Sequence, residues 1–213
     1  MNRMCRATDV SLRLAFIGWG AIARATADAV RGLPIEIVAV AVRDASVPRP
    51  DLPPSARLIT DPTELAATRP DVVAEAAGRE SVEPWGAAAL GVGADLIVSS
   101  ASAFADAHVL ESLRAVAAAT GARIHVQPGA LGGIDALSAA RAMGIDVVRH
   151  RIVKPPAAWR DTPAESLCAL DSLTEPESFF TASAAEAAAR FPKNANVAMT
   201  IALAGIGPDR TEI

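Results

Sequence analysis

Five short apolar runs rich in β-branched residues recur at 12–17, 35–42, 72–76, 96–98 and 124–126. Each is apolar on both faces, as a strand covered by helices on both sides must be; a strand with one wet face would alternate. Between them, apolar residues recur at helical spacing over 21–30, 62–68, 81–90 and 106–120. Strand and helix alternate, so the chain reads as α/β, with a doubly wound parallel sheet of Rossmann type. Alanine makes up about a fifth of the residues and raises helix propensity everywhere. The β-branched runs therefore carry this reading, and the alanine-rich windows do not.

Residues 44–55 contain Pro48, Pro50, Pro53 and Pro54, a composition that suits neither a helix interior nor a central strand. They read as a surface connection after the second strand. The pattern changes at QPGALGG, residues 127–133, which is followed by a helix over 134–143 and a strand-like run over 146–153. A polar loop through Pro163 and helices over 184–190 and 194–204 complete the chain. The boundary is placed here: residues 1–126 form a dinucleotide-binding domain and 127–213 a smaller α/β (α+β) domain for substrate and dimerisation.

Hydrophobic residues make up 51% of the 213, with 20 Lys and Arg against 24 Asp and Glu and a net charge of −4. Such a chain can bury a sizeable core, and it has no basic footprint for nucleic acid. Cys5 and Cys168 are far apart, which argues against a disulfide framework or a structural zinc site. Neither a signal peptide nor an apolar stretch of about 20 residues is evident. The expectation is a soluble cytoplasmic protein without a metal.

Gly18, Gly20 and Ala23 form a GxGxxA between the first strand and the first helix. Gly18 permits the tight turn, Gly20 lets the backbone approach a pyrophosphate, and Ala23 lets helix and strand pack closely. Free amides at the helix start receive the phosphate charge. Cofactor choice is read about 20 residues further on, at Arg43 and Asp44. Arg43 suits a 2′-phosphate and Asp44 a ribose hydroxyl, which leaves NAD and NADP both open, as does the alternative that both residues face water.

The chain resembles the L-aspartate dehydrogenase family at GWGAIA (18–23), DVVAEAAG (71–78), IVSSASAFAD (97–106), QPGALGGIDAL (127–137), KPP (154–156) and FPKNANVAMTIALAGIGPDRT (191–211). The resemblance implies NAD- or NADP-dependent oxidation of L-aspartate to iminoaspartate. That product hydrolyses to oxaloacetate and ammonia, or feeds nicotinamide cofactor synthesis. It also implies a homodimer, and cofactor contacts at Ala130 and Asn196. Together with the glycine turn and the position after the second strand, the expected cofactor residues are Gly18, Trp19, Gly20, Ala21, Ile22, Arg43, Ala77, Ala130 and Asn196. A dicarboxylate calls for cationic or amide donors, and Lys154, Lys193 and Asn194 are the candidates.

One departure accompanies the resemblance. The family's catalytic histidine lies in an Asn-x-His motif beyond the GIG-DRT block, and this sequence stops at Ile213. His108, His125 and His150 match no catalytic position, so no catalytic residue is assigned. Asp135 reads as an acid in the first turn of its helix. The expectation is a chain incomplete at its C-terminus, with an unpaired sheet edge that promotes oligomerisation or marginal stability. A non-catalytic dinucleotide-binding protein, or another Rossmann reductase such as a homoserine dehydrogenase, is the alternative; the GALGG and FPKN blocks favour the aspartate enzyme.

Overall fold

The computed structural model describes residues 11–192 and 195–213. Its first elements are β1 (Leu12–Ile17), α1 (Ala21–Ala29), β2 (Ile35–Ala41), β3 (Arg57–Ile59), α2 (Leu65–Thr68), β4 (Val72–Glu75) and α3 (Arg79–Gly91). β5 (Asp95–Val98), α4 (Ala107–Thr120) and β6 (Ile124–Val126) follow. These strands form one sheet in the order β3-β2-β1-β4-β5-β6. β1 runs parallel to both β2 and β4, β2 to β3, and β4 to β5. This is the classic doubly wound order, in which the winding reverses between the first and fourth strands.

Residues 11–100 with 109–125 form one compact unit, and 101–108 with 126–213 form a second. In the first, Leu14, Phe16, Trp19, Ala23, Ile37, Val40 and Val42 make one buried cluster. Four of the five β-branched runs are the inner strands β2, β1, β4 and β5, and the fifth is the edge strand β6.

The second unit holds α5 (Ile134–Arg141), β7 (Val148–Arg149), α6 (Ala184–Arg190), α7 (Ala195–Ala204) and β8 (Thr211–Glu212). Ala184 of α6 packs with Ala198 and Ala202 of α7, all buried, and side chains this small let two helices approach closely. Ser183 caps α6, its hydroxyl accepting from the Glu186 amide while the Glu186 carboxylate accepts from the Ser183 amide. Two expectations differ from the structure here. Of the strand-like run 146–153, only Val148–Arg149 is paired, because β8 offers it two residues. The loop through Pro163 is organised by 3-10 turns at Pro156–Trp159, Pro163–Ser166 and Leu170–Ser172, which surround buried Trp159 and Phe191. Among the described residues, no helix is long and apolar enough to cross a membrane.

Candidate functional site

β1 and β4 lie side by side where the winding reverses, and ligands of such sheets bind beyond the carboxyl ends of the strands at this point. The loop after β1 begins with Gly18, whose φ is +90° and whose amide donates to the Ala41 carbonyl at 2.9 Å. A Cβ on Gly18 would stand 2.9 Å from the Ala76 carbonyl oxygen and 3.0 Å from Ala77. The turn after β1 is thus closed against the loop after β4, and both the conformation and the space require glycine.

Gly20 is different. Its φ is −92°, which any residue adopts, and a Cβ there would meet nothing within 4 Å. Nothing in the described protein requires glycine at this position, and the space beside it is open. α1 begins here with no side-chain cap and no acid in its first turn. Its first intrahelical bond runs from the Arg24 amide to the Gly20 carbonyl at 3.1 Å. The amides of Ala21, Ile22 and Ala23 therefore have no intrahelical acceptor, which makes the helix start a site for an anion. A dinucleotide pyrophosphate fits this arrangement.

The Trp19 side chain belongs to the core. It is 8% exposed, its ring meets the Phe16 ring edge-on, and its indole N–H donates to Asp51 Oδ2 at 3.2 Å. Arg24 Nε pairs with the same oxygen at 2.9 Å, so Asp51 ties the proline-rich connection to α1. Only the backbone of Trp19 is left for the turn. Ile22, by contrast, is 60% exposed beside it.

Arg43 is exposed just after β2 and has no ion-pair partner among the described residues. Asp44 Oδ1 accepts from the Ser46 hydroxyl at 2.6 Å and amide at 2.8 Å, bonds that hold its carboxyl below the ordinary value. One of its oxygens is committed to a local turn.

Glu75 at the end of β4, which sequence reasoning does not single out, holds the loop that the glycine turn closes against. It is 1% exposed. Its Oε1 accepts from the Ala77 and Gly78 amides, both at 2.8 Å, and from the Ser100 hydroxyl at 3.0 Å; Oε2 accepts from the Ser100 amide at 3.0 Å. An acid inside an apolar strand was the available signal, since a buried carboxylate must find donors. Ala77, one of the predicted cofactor residues, is exposed in the loop that Glu75 holds.

In the second unit, Asn196 is exposed on α7 and its Oδ1 accepts from the Ser102 amide at 2.9 Å. That bond fixes the side chain with its NH2 donors pointing elsewhere, ready for a carbonyl or hydroxyl. Ala130 is exposed in a turn closed by the Leu131 amide on the Pro128 carbonyl at 3.2 Å. Asp135 stands in the first turn of α5. Lys154 Nζ lies 5.2 Å from the Trp159 ring centroid, within cation–π range. It lines a cavity of about 560 Å³ walled mainly by Trp159, Phe179, Phe180, Phe191 and Leu173. Lys193 and Asn194, the other two substrate candidates, lie outside the described residues.

The histidines are dispersed. The His108 amide donates to Asp106 at 3.0 Å at the start of α4. His125 Nε2 is 3.6 Å from Asp95, and burial pushes the His150 imidazole below its ordinary value. Among the described residues, no group of three or more His, Cys, Asp or Glu side chains is placed to hold a metal ion.

Comparison with known proteins separates the halves and then joins them. A family model described as homoserine dehydrogenase, NAD binding domain, matches residues 18–127, and one described as aspartate dehydrogenase, C-terminal, matches 135–213. An L-aspartate dehydrogenase of Brucella anthropi is 52% identical over 207 residues, covering 96% of this chain and 77% of the relative. One from Cupriavidus necator is 38% identical over 211 residues, covering 95% of this chain and 77% of the relative. The crystal structure of an aspartate dehydrogenase from Thermotoga maritima superimposes with a TM-score of 0.72 at 25% identity, covering 94% of this chain and 76% of that one.

Proposed function

The chain belongs to the L-aspartate dehydrogenase family, and from that premise we propose that it oxidises L-aspartate at its amino-bearing carbon with NAD or NADP. The iminoaspartate formed hydrolyses to oxaloacetate and ammonia or enters pyridine nucleotide synthesis. The observation that carries the reading is the turn at Gly20, which is open on the side where a phosphate would arrive and leads into amides that have no intrahelical acceptor. The similarity through 96% of the chain supplies the substrate.

When bound, the dinucleotide supplies the hydride acceptor; the protein supplies position and electrostatics. We assign the pyrophosphate to the backbone of Gly18, Trp19, Gly20, Ala21 and Ile22, and a 2′-phosphate to Arg43. Ala77, Ala130 and Asn196 are assigned to the nicotinamide end. Asn196 suits this role because its carbonyl is already held by Ser102 and its amide donors are left for a ligand. Lys154, Lys193 and Asn194 are assigned to the two carboxylates of the substrate. In this assignment residues 1–126 bind the dinucleotide and 127–213 serve the substrate and a homodimer, with the cytoplasm as the place of action.

An initial-rate assay following nicotinamide absorbance tests the reading, with oxaloacetate, ammonia, and NADH or NADPH in parallel. The expected result is consumption that requires oxaloacetate and ammonia together. Arg43, without a carboxylate partner among the described residues, supports use of NADPH as well as NADH. Consumption without ammonia would replace amine chemistry by simple ketone reduction. Dinucleotide binding with no turnover would favour a binding-only protein.

A further inference from the structure

We propose that Glu75 is a positioning residue of the dinucleotide cradle, fixing the loop against which the glycine turn closes. At 1% exposure, its carboxylate is costly unless hydrogen-bonded. The amides of Ala77, Gly78 and Ser100 and the hydroxyl of Ser100 all reach it within 3.0 Å. Backbone amides only donate and the oxygens of the side chain accept, so each of these buried donors finds its partner in Glu75.

Two consequences follow for a ligand. The loop held by Glu75 presents the Ala76 carbonyl and Ala77 at 2.9 to 3.0 Å from where a Cβ on residue 18 would stand. The shape of the Gly18 turn, and with it the direction of the free amides of α1, therefore depends on this carboxylate. The amides of Ala77 and Gly78 also point inward at Glu75 and are not offered outward. An arriving pyrophosphate is left with the first turn of α1. Glu75 thus sets where the phosphates sit without touching them.

The proposal rests on the dinucleotide reading above, and its test separates the two. Dissociation constants for NADH and NADPH are measured by nicotinamide fluorescence for the wild type, Glu75→Gln and Ser100→Ala, with KM and kcat alongside. Glutamine keeps the size of the side chain but sets an NH2 against an N–H donor. Glu75→Gln is expected to weaken both dinucleotides by about tenfold and raise their KM in proportion, with kcat at saturation within about twofold. A merely structural role would lower the melting temperature and the active fraction and leave KM unchanged. If Glu75→Gln does not fold, Ser100→Ala, which removes one hydroxyl and keeps the carboxylate, carries the test with an expected loss of about threefold. A folded Glu75→Gln with unchanged affinity overturns the proposal, as does unchanged affinity in Ser100→Ala where Glu75→Gln fails to fold. A wild type that binds neither dinucleotide overturns the cofactor reading, and the proposal with it.

Discussion

Gly18 and Gly20 stand two positions apart in one motif, yet different forces demand each of them. At Gly18 the demand comes from the protein: φ is +90°, and a Cβ would meet the Ala76 carbonyl at 2.9 Å. Gly18→Ala is therefore expected to destabilise the fold by about 1–3 kcal/mol, lowering the melting temperature by several degrees. At Gly20 the backbone is extended and the space empty. Alanine there narrows the unfolded ensemble without native strain, a change worth about 0.4–1 kcal/mol in favour of folding. Gly20→Ala should melt no lower than the wild type while binding NADH and NADPH more weakly, because its methyl group occupies the approach of the phosphate. Thermal melts and fluorescence titrations on the two variants check both statements. A Gly20→Ala protein with unaltered affinity would remove the phosphate from this turn.

At the scale of elements, the inner strands were legible from their apolar runs, and so was β6 at the sheet edge. The runs at 12–17 and 124–126 coincide with β1 and β6, and those at 35–42, 72–76 and 96–98 fall within a residue of β2, β4 and β5 at each end. β8, of two residues, is too short to leave a pattern, and β3, as long as β6, lies just after the proline-rich connection, which reads as a loop. The run 146–153 shows the converse: its residues favour extended backbone, but β8 pairs with two of them. The aromatic cluster was illegible because Trp159, Phe179, Phe180 and Phe191 come together from separate turns, with no period to link them. In the site, the glycine turn could be read from residue types, whereas Glu75 could not, since its role lies in donors from two loops. His150 follows β7, its amide donating to the Glu212 carbonyl at 2.9 Å, and gives this region a pH dependence. Burial lowers its imidazole below 6.5, so the folded state favours the neutral ring. Its contribution to stability is complete above 6.5 and is lost as pH falls through that value toward the lower folded one. Asp95, lowered by its hydrogen bonds with Arg123, acts in a separate window, losing its contribution only as pH falls below about 3.8. Melting temperatures recorded on both sides of pH 6.5 should fall on acidification in the wild type, and by less in His150→Gln. Parallel curves for the two proteins would exclude His150 as the source.

Across the whole molecule, large apolar side chains are exposed in both units, five in the first and three in the second among the described residues. The most exposed of them, Met143 at 89%, Val153 at 74% and Val147 at 65%, all belong to the second unit. α5, also in that unit, has no fully buried residue, although an eight-residue helix gains little stability from its own hydrogen bonds. In the first unit, the most exposed such residue is Ile22, already assigned to the dinucleotide. Single exposed apolar side chains are ordinary, but the unit that holds the three highest exposures also holds a helix with no buried residue, which favours burial of part of it against a second copy. Each large apolar side chain taken fully out of water contributes about 1.5–3 kcal/mol, and a net charge of −4 offers weak opposition. Light scattering at micromolar concentration should give twice the mass of a single chain. Met143→Glu and Val153→Glu, which put charge at the two most exposed of these side chains, should move the mass toward that of one chain without lowering the far-ultraviolet helical signal. A wild type that stays monodisperse at the mass of one chain would show that these side chains face water in solution, and the dimerisation role assigned to residues 127–213 would fall with it.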